Sequence, residues 1–242
     1  MAFLYRLRRR PRRSRTTRQR WLRRLTGLIL LFLLLDALYL AWLWPDWATL
    51  QYPRLAPSRF MQQYVAARQY KPARPPLHWQ PVPLQRIPSS VRRAVIIAED
   101  ARFYQHSGID WEAVADAALI NWQAGRVRYG ASTLSQQTVK NLFLDAGRNP
   151  LRKWHELILT LGLEANLDKS RILEIYLNIA EFGQGIYGVE AAARHYWGTG
   201  VADLDEWQAA QLAATLPSPR KRNPASATPR FLQRARLIYR RM

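Results

Sequence analysis

A chain of 242 residues allows one domain of roughly 150–200 residues with appendages, and an apolar fraction of 48% is enough for a packed core. It contains no cysteine, which excludes disulfide frameworks, cysteine-ligated zinc, iron–sulfur clusters and thiol nucleophiles. Lys and Arg outnumber Asp and Glu by 37 to 17, a net charge of +20, so an anionic partner is expected, either nucleic acid or a membrane surface.

Position in the chain decides between the two. Residues 1–24 hold eleven Arg and no acid. Leu25 to Trp44 follows, 20 residues with Asp36 as the one charge. At about 1.5 Å per residue this run spans roughly 30 Å, the hydrocarbon core of a bilayer. Trp21 precedes it, and Trp42, Trp44 and Trp47 cluster at its far end like an interfacial aromatic belt. The pattern predicts a transmembrane helix over residues 25–44, with a cytoplasmic Arg-rich tail at 1–24 and the remainder exported. A cleaved signal peptide is the alternative, but the apolar run is too long and Trp44-Pro45-Asp46-Trp47 offers no small-residue cleavage site. The Arg tail then sets topology, and no nucleic-acid partner is expected. With the eleven Arg and Asp36 set aside, residues 45–242 still carry +10. That charge suits a domain lying on anionic lipid or binding an anionic substrate.

Residues 45–88 contain nine prolines and read as a stalk or irregular cap, with one short helix from Ser58 to Tyr70. From Ser89 the pattern is helical. Ser89 or Ser90 caps a helix to Glu99; Asp110 caps Trp111 to Ala124, ended by Gly125; Ser132 opens a helix through Leu142. Asn149-Pro150 is a cap followed by Pro at the first helical position, and that helix runs to about Leu167. Further helices are expected from Ser170 to Asn178 and from Ile186 to Trp197, the latter stopped by Gly198. Asp203 and Glu206 resemble a capping box before Trp207 to Leu216, and Thr228-Pro229 starts a last helix. No Asn-Gly or Asp-Gly hairpin turn joins two β-branched runs. The expected fold is therefore mainly α over residues 89–242, without internal repeats.

Three clusters carry chemistry. The first is Glu99-Asp100-Ala-Arg-Phe103-Tyr-Gln-His106-Ser-Gly108. A carboxylate that follows the apolar stretch Ala94 to Ala98 is partly desolvated, which raises its pKa and suits it to proton transfer. Successive helix positions point about 100° apart, so Glu99 and Asp100 serve different roles. From the residues alone, a helix-end acid pair with a satisfied structural His is the leading alternative, and a Glu/Asp/His metal site is a third. The second cluster is Gly130-Ala-Ser132-Thr133-Leu-Ser-Gln136-Gln137-Thr-Val-Lys140-Asn141. Thr133, Gln136/Gln137 and Lys140/Asn141 form one polar stripe, in which Lys is a compact charge for a phosphate oxygen or simply part of a solvated face. The third is Arg148-Asn-Pro-Leu-Arg152-Lys153-Trp-His-Glu156. Arg152 and Lys153 share a helix face with Glu156, as an ordinary ion pair or as a cationic wall beside a second carboxylate.

Two carboxylates, Glu99 and Glu156, beside several cations fit transfer of a glycosyl unit from a lipid diphosphate. In this order the clusters resemble the peptidoglycan glycosyltransferase family 51 domain, whose patterns E-D-x-x-F-x-x-H-x-G, G-x-S-T-x-x-Q-Q-x-x-K-N, R-K-x-x-E and Y-L-N are all met, the last by Tyr176-Leu177-Asn178. Ile172 to Asn178, Glu181-Phe-Gly183 and Gly188 to Ala193 extend the likeness, which covers roughly residues 80–235.

The resemblance implies a lysozyme-like, mainly α fold and polymerisation of lipid II into glycan strands, with inversion to a β-1,4 bond. It implies Glu99 as general base and Glu156 as a second catalytic acid that organises the site or assists with a metal. Lys140, Arg148 and Arg152 would hold the donor diphosphate, with Lys153 a further candidate. Asp100, Ser132, Gln136, Gln137 and Asn141 look like binding or scaffolding positions. Some members use a divalent cation, Mg or Mn; no local ligand set demands one here, and no other cofactor is expected. Implied partners are lipid II, the nascent strand, the bilayer, and cell-wall synthesis or division proteins. The implied location is the bacterial inner membrane, single-pass, with the catalytic domain periplasmic. No Lys-Thr-Gly motif follows, so the sequence looks like the monofunctional form. The competing expectations are a membrane-bound lytic transglycosylase or lysozyme-like hydrolase, against which the Gln-Gln-x-x-Lys-Asn stripe argues, and a non-catalytic binding module.

Overall fold

A computed structural model describes residues 13–126, 130–145, 147 and 149–242. Its division into two compact units falls between Pro45 and Asp46.

The first unit is helix α1, Arg13–Leu43. Within it, Arg18–Leu43 is 26 residues long and apolar enough to cross a membrane. At about 1.5 Å per residue it rises roughly 39 Å, more than a hydrocarbon core requires. Leu28, Leu30, Phe32, Leu34 and Leu38 are all more than half exposed, an arrangement stable only in an apolar solvent. The helix begins twelve residues before the expected start at Leu25, because Arg and Gln are good helix formers and nothing after Pro11 interrupts them.

The second unit is built from ten further helices among the described residues. They are α2 Trp47–Gln51, α3 Arg59–Gln69, α4 Ser89–Glu99, α5 Trp111–Gln123, α6 Leu134–Phe143, α7 Pro150–Asn166, α8 Lys169–Ile179, α9 Val189–Trp197, α10 Glu206–Thr215 and α11 Pro229–Tyr239. A small sheet joins them: β1 His78–Trp79, β2 Glu181–Gly183 and β3 Ile186–Tyr187, ordered β1-β3-β2, with β1 parallel and β2 antiparallel to β3. The architecture is the mainly α one expected. The sheet was not anticipated, since strands of two or three residues show no alternation. Its hairpin turns through Gln184-Gly185, with Gly185 at φ +80°, rather than through an Asn-Gly or Asp-Gly pair.

The expected caps at Asp110, Asn149 and Thr228 each accept a backbone N–H, and Ser58, expected as the first residue of a short helix, caps α3 in the same way. Elsewhere the register differs by a residue or more. Thr133 rather than Ser132 caps α6, Asp168 rather than Ser170 caps α8, and Asp205 with Gln208 forms the capping box of α10. Pro88 occupies the cap position of α4 and makes no side-chain bond, and α9 starts at Val189 because Ile186 and Tyr187 belong to β3. In each case several neighbouring residues could cap equally well, and packing chooses among them.

Helix α8 is the centre of the unit. Ile172, Leu173, Ile175, Tyr176, Leu177, Asn178 and Ile179 are all buried, so the helix is covered nearly all round. It packs against α6, α7 and α9, while α4 lies against α10 and α11. Val91, Ala94 and Val95 of α4 and Ala209, Ala210 and Ala213 of α10 are small enough for close approach.

The Pro-rich segment expected as a stalk or cap belongs to this same compact unit from Asp46 onward. Its backbone donors and acceptors, which prolines prevent from pairing locally, are met by side chains of α8. Arg171 donates through Nε to the Leu50 carbonyl at 2.6 Å and through its terminal nitrogen to the Tyr52 carbonyl. Asn178 accepts from the Val82 N–H at 2.8 Å and donates back to the Val82 carbonyl at 2.9 Å. Trp79 Nε1 donates to the Asn178 carbonyl at 2.9 Å.

Asn178→Ala leaves both buried backbone groups of Val82 unpaired, at roughly 1–3 kcal/mol each. Stability should fall by about 2–6 kcal/mol, a Tm drop of about 4–24 °C for a unit of this size. Thermal unfolding of the full chain checks this, and an unchanged Tm would show that the segment is held by other contacts.

Candidate active site

Glu99 is the last residue of α4, and its carboxylate faces the end of its own helix dipole, which disfavours negative charge. It is largely shielded from solvent, with 13% of its side chain exposed. Oε2 accepts from Gln137 Nε2 at 3.1 Å, and Oε1 accepts from the Arg234 guanidinium at 3.1 Å. Burial raises the Glu99 pKa above the ordinary carboxylate value, and Gln137, Arg234 and Lys140 offset only part of that rise. A cleft of about 290 Å³ opens beside Glu99, lined among others by Asp100, Arg102, Asp110, Gly130, Ser132 and Thr133.

Asp100 ends the helix and turns away from its neighbour. Its Oδ2 accepts from the N–H of Leu134, the first residue of α6, at 2.9 Å. His106 Nε2 lies 3.0 and 3.2 Å from the two Asp100 oxygens. The Gly108 N–H donates to His106 Nδ1 at 3.2 Å, so Nδ1 is the acceptor and Nε2 carries the hydrogen given to Asp100. Gly108, at φ +92°, presents its carbonyl to the Thr133 hydroxyl at 2.6 Å, and an added Cβ would lie 2.9 Å from Thr160 Cγ2. Phe103 is fully buried beneath Lys169, whose ammonium sits 4.5 Å from the ring centroid. Most of the first cluster is thus a frame that locks α6 against α4.

On α6 the polar stripe divides. Thr133 and Gln136 are buried and spent on each other's backbone in a capping box, so Gln136 is scaffolding. Gln137, Lys140 and Asn141 share the half-buried face that continues from Glu99. Lys140 makes no ion pair among the described residues. Burial lowers its pKa; Arg152 and Lys153 push the same way, while Glu156 and Glu99 oppose.

Glu156 on α7 is buried and accepts from Arg152 at 2.8 Å and from Lys153. It is therefore an anchor for two cations rather than a free base. Lys153 also reaches the Ser132 hydroxyl at 3.3 Å, and the buried Arg152 Nε has no partner among the described residues. Lys140, Arg152 and Lys153 outnumber Glu156, so this wall retains uncompensated positive charge. Arg148, the other expected diphosphate ligand, lies outside the described residues.

Asp100, His106 and Asp110 are the one grouping among the described residues with the ligand spacing for a metal ion. They do not fit one. Asp110 is gripped by Arg102 through two bonds of 2.9 Å, which also holds its pKa below the usual carboxylate value, and Asp100 is committed to Leu134 and His106. A guanidinium at that distance repels a cation.

Two residues with a part in the site escaped the sequence reading. Arg234 is one Arg among several in α11 and lies 135 positions from Glu99. Tyr176, quoted only within Tyr-Leu-Asn, is fully buried and donates to Gln137 Oε1 at 3.1 Å. Helical spacing cannot bring either to Glu99.

The family described as Transglycosylase matches residues 68–242. A biosynthetic peptidoglycan transglycosylase of Chromobacterium violaceum is 43% identical over 185 residues, covering 76% of this chain and 81% of its own. A protein of the same name from Methylobacillus flagellatus is 42% identical over 216 residues, covering 88% and 93% of the two chains. Another from Bordetella pertussis is 39% identical over 229 residues, covering 93% and 95%.

The raised Glu99 pKa has a consequence for stability. A carboxyl whose folded-state pKa is raised favours the fold below its unfolded value, and that contribution is lost as pH rises through the folded value. At neutral pH ionised Glu99 is therefore a net cost. Glu99→Gln should leave the Tm at pH 7.5 unchanged or higher, and its advantage over wild type should shrink as pH falls toward 4.5. A lower Tm at pH 7.5 with no pH-dependent difference would contradict the burial argument.

Proposed function

The chain belongs to the transglycosylase family, and from that premise we propose that it polymerises lipid II into β-1,4-linked glycan strands with release of undecaprenyl diphosphate. One observation carries the reading: a desolvated carboxylate, Glu99, shares a face with Lys140, a half-buried ammonium that makes no ion pair among the described residues. A proton acceptor beside surplus positive charge is what attack by a hydroxyl on a diphosphate-linked sugar requires.

In this mechanism the acceptor's 4-hydroxyl attacks the donor's anomeric carbon. The new C–O bond forms as the bond to the diphosphate oxygen breaks, and the hydroxyl proton passes to Glu99. The electron pair leaves on the diphosphate, where Lys140 and Arg152 stabilise the developing charge. Displacement from the opposite face converts the α-linked donor into a β bond. Glu156 holds Arg152 and Lys153 in position, and Ser132 extends that wall through Lys153. Asn141, one turn beyond Gln137, faces the same substrate.

A lipid-borne substrate also accounts for the apolar features. Helix α1 is the single-pass anchor, with the Arg tail in the cytoplasm and the second unit on the periplasmic side of the inner membrane. Helix α5 buries none of its residues and exposes Trp111, Val114, Leu119 and Trp122, a surface suited to lipid. The nascent strand is the second partner in the reaction, and cell-wall synthesis or division proteins are proposed neighbours.

Lipid II supplied alone to the full chain in detergent should yield growing strands. Fragments released from preformed sacculi without growth would instead indicate a lytic enzyme. Glu99→Gln should lower the rate by about 10²–10⁴-fold, and Lys140→Ala by about 10²–10³-fold.

The pH–rate profile should be bell-shaped. Its acid limb, from ionisation of Glu99, lies above the usual Glu value, and its alkaline limb, from loss of the Lys140 charge, lies below the usual Lys value. Lys140→Arg, which stays charged, should abolish the alkaline limb. An alkaline limb that persists in that variant would reject the assignment.

A further inference from the structure

The buried base poses a problem that the mechanism leaves open. Its helix end, its burial and the preceding carbonyls all disfavour the anion that must accept the proton. The groups facing it are few. Gln137 and Lys140 come from α6, Tyr176 from α8 and Arg234 from α11; Asp100 follows it in the chain but is committed to Leu134 and His106. Helix α10 lies along α4 with the alanine-rich face already described.

Two of these groups touch Glu99 directly, and each has a detail that a merely structural contact would not need. One terminal nitrogen of Arg234 donates both to Glu99 Oε1 and to the Ala98 carbonyl, each at 3.1 Å. That carbonyl is among the last four of α4, which have no partner within the helix. The guanidinium thus caps the helix end and pairs with the carboxylate that the end destabilises. On the other oxygen, Gln137 could present either its amino group or its carbonyl. The Tyr176 hydroxyl donates to Gln137 Oε1, which leaves Nε2 to face Glu99. The reversed amide would set a carbonyl oxygen against the carboxylate and strip the fully buried Tyr176 hydroxyl of the acceptor it has in Gln137 Oε1.

The geometry points to Arg234 and Tyr176 as positioning residues for the reaction: Arg234 keeps Glu99 ionised and aimed at the cleft, and Tyr176 does the same from the other side by fixing the orientation of the Gln137 amide. Neither needs to touch substrate. The inference rests on the reading of Glu99 as the general base. It makes the C-terminal helix part of the catalytic apparatus, because α11 supplies the counter-charge across 135 residues of sequence.

The test is the pH dependence of strand synthesis by the full chain, with lipid II as substrate and Arg234→Gln, Arg234→Lys and Tyr176→Phe as variants. Loss of a contacting opposite charge moves a carboxylate pKa by about one unit or more. Arg234→Gln should therefore shift the acid limb of kcat upward by about that much, leave KM for lipid II within about twofold, and recover most of its rate well above the limb. Arg234→Lys restores the charge and should return the limb toward wild type. Tyr176→Phe should shift the limb in the same direction by a smaller amount, with kcat reduced and KM unchanged. Unmoved limbs in Arg234→Gln and Tyr176→Phe, with Glu99→Gln inactive, overturn the positioning roles and leave the base in place. A pH-independent loss that tracks a lowered Tm also overturns them, since it marks a purely structural contact. Strand synthesis surviving in Glu99→Gln overturns the assignment of the base itself.

Discussion

In the proposed mechanism the carboxylate that accepts a proton from a sugar hydroxyl must shed water and still remain ionised, and the groups around Glu99 answer that conflict. Helix α4 delivers Glu99 into a shielded position at the end least favourable for negative charge. Three other helices then offset the cost. Helix α6 brings Gln137 and Lys140, α8 brings Tyr176 behind Gln137, and α11 brings Arg234. The offset is partial, so the pKa of Glu99 stays raised. A base is useful in that condition, because a fully stabilised carboxylate would hold its proton too weakly.

The same economy governs the cations. A buried carboxylate without a cation is costly, so Glu156 is tied to both the half-buried Arg152 and the more exposed Lys153. One acid for two cations leaves the pair net positive, and Lys140 adds a third charge nearby. The wall is thus stable enough to fold and keeps the surplus positive charge that the proposed diphosphate donor requires. Glu156, read from sequence as a second chemical carboxylate, is better understood as the counter-ion that keeps this wall assembled.

The frame explains why the first cluster is so long. Asp100, His106, Gly108 and Phe103 do no proton chemistry in the proposed mechanism. Asp100 anchors the first turn of α6, His106 orients Asp100, and the Gly108 carbonyl takes the Thr133 hydroxyl that also caps α6. If α6 slid by one residue, Gln137 would no longer meet Glu99. Much of what looks like a catalytic motif is therefore register control. The Pro-rich segment follows the same logic, since its unpaired backbone is met by Arg171 and Asn178 from the core helix.

By itself the sequence determined whatever depends on local pattern. The apolar run of α1, the helices from α3 to α11 and the caps at Asp110, Asn149 and Thr228 follow from periodicity, charge and short-range spacing, and the candidates Glu99, Lys140, Arg152 and Lys153 stand out in the same clusters, with roles implied by the family resemblance. Those signals act within a few turns of one chain segment, where propensity and side-chain geometry suffice. The tertiary structure alone decided which of several adjacent polar residues caps each helix. It also decided that Gln136 is spent on the frame while Gln137 faces Glu99, and that Arg234 and Tyr176 belong to the site. These depend on contacts between helices far apart in sequence, which form only when the core around α8 closes and removes water from the polar groups it traps.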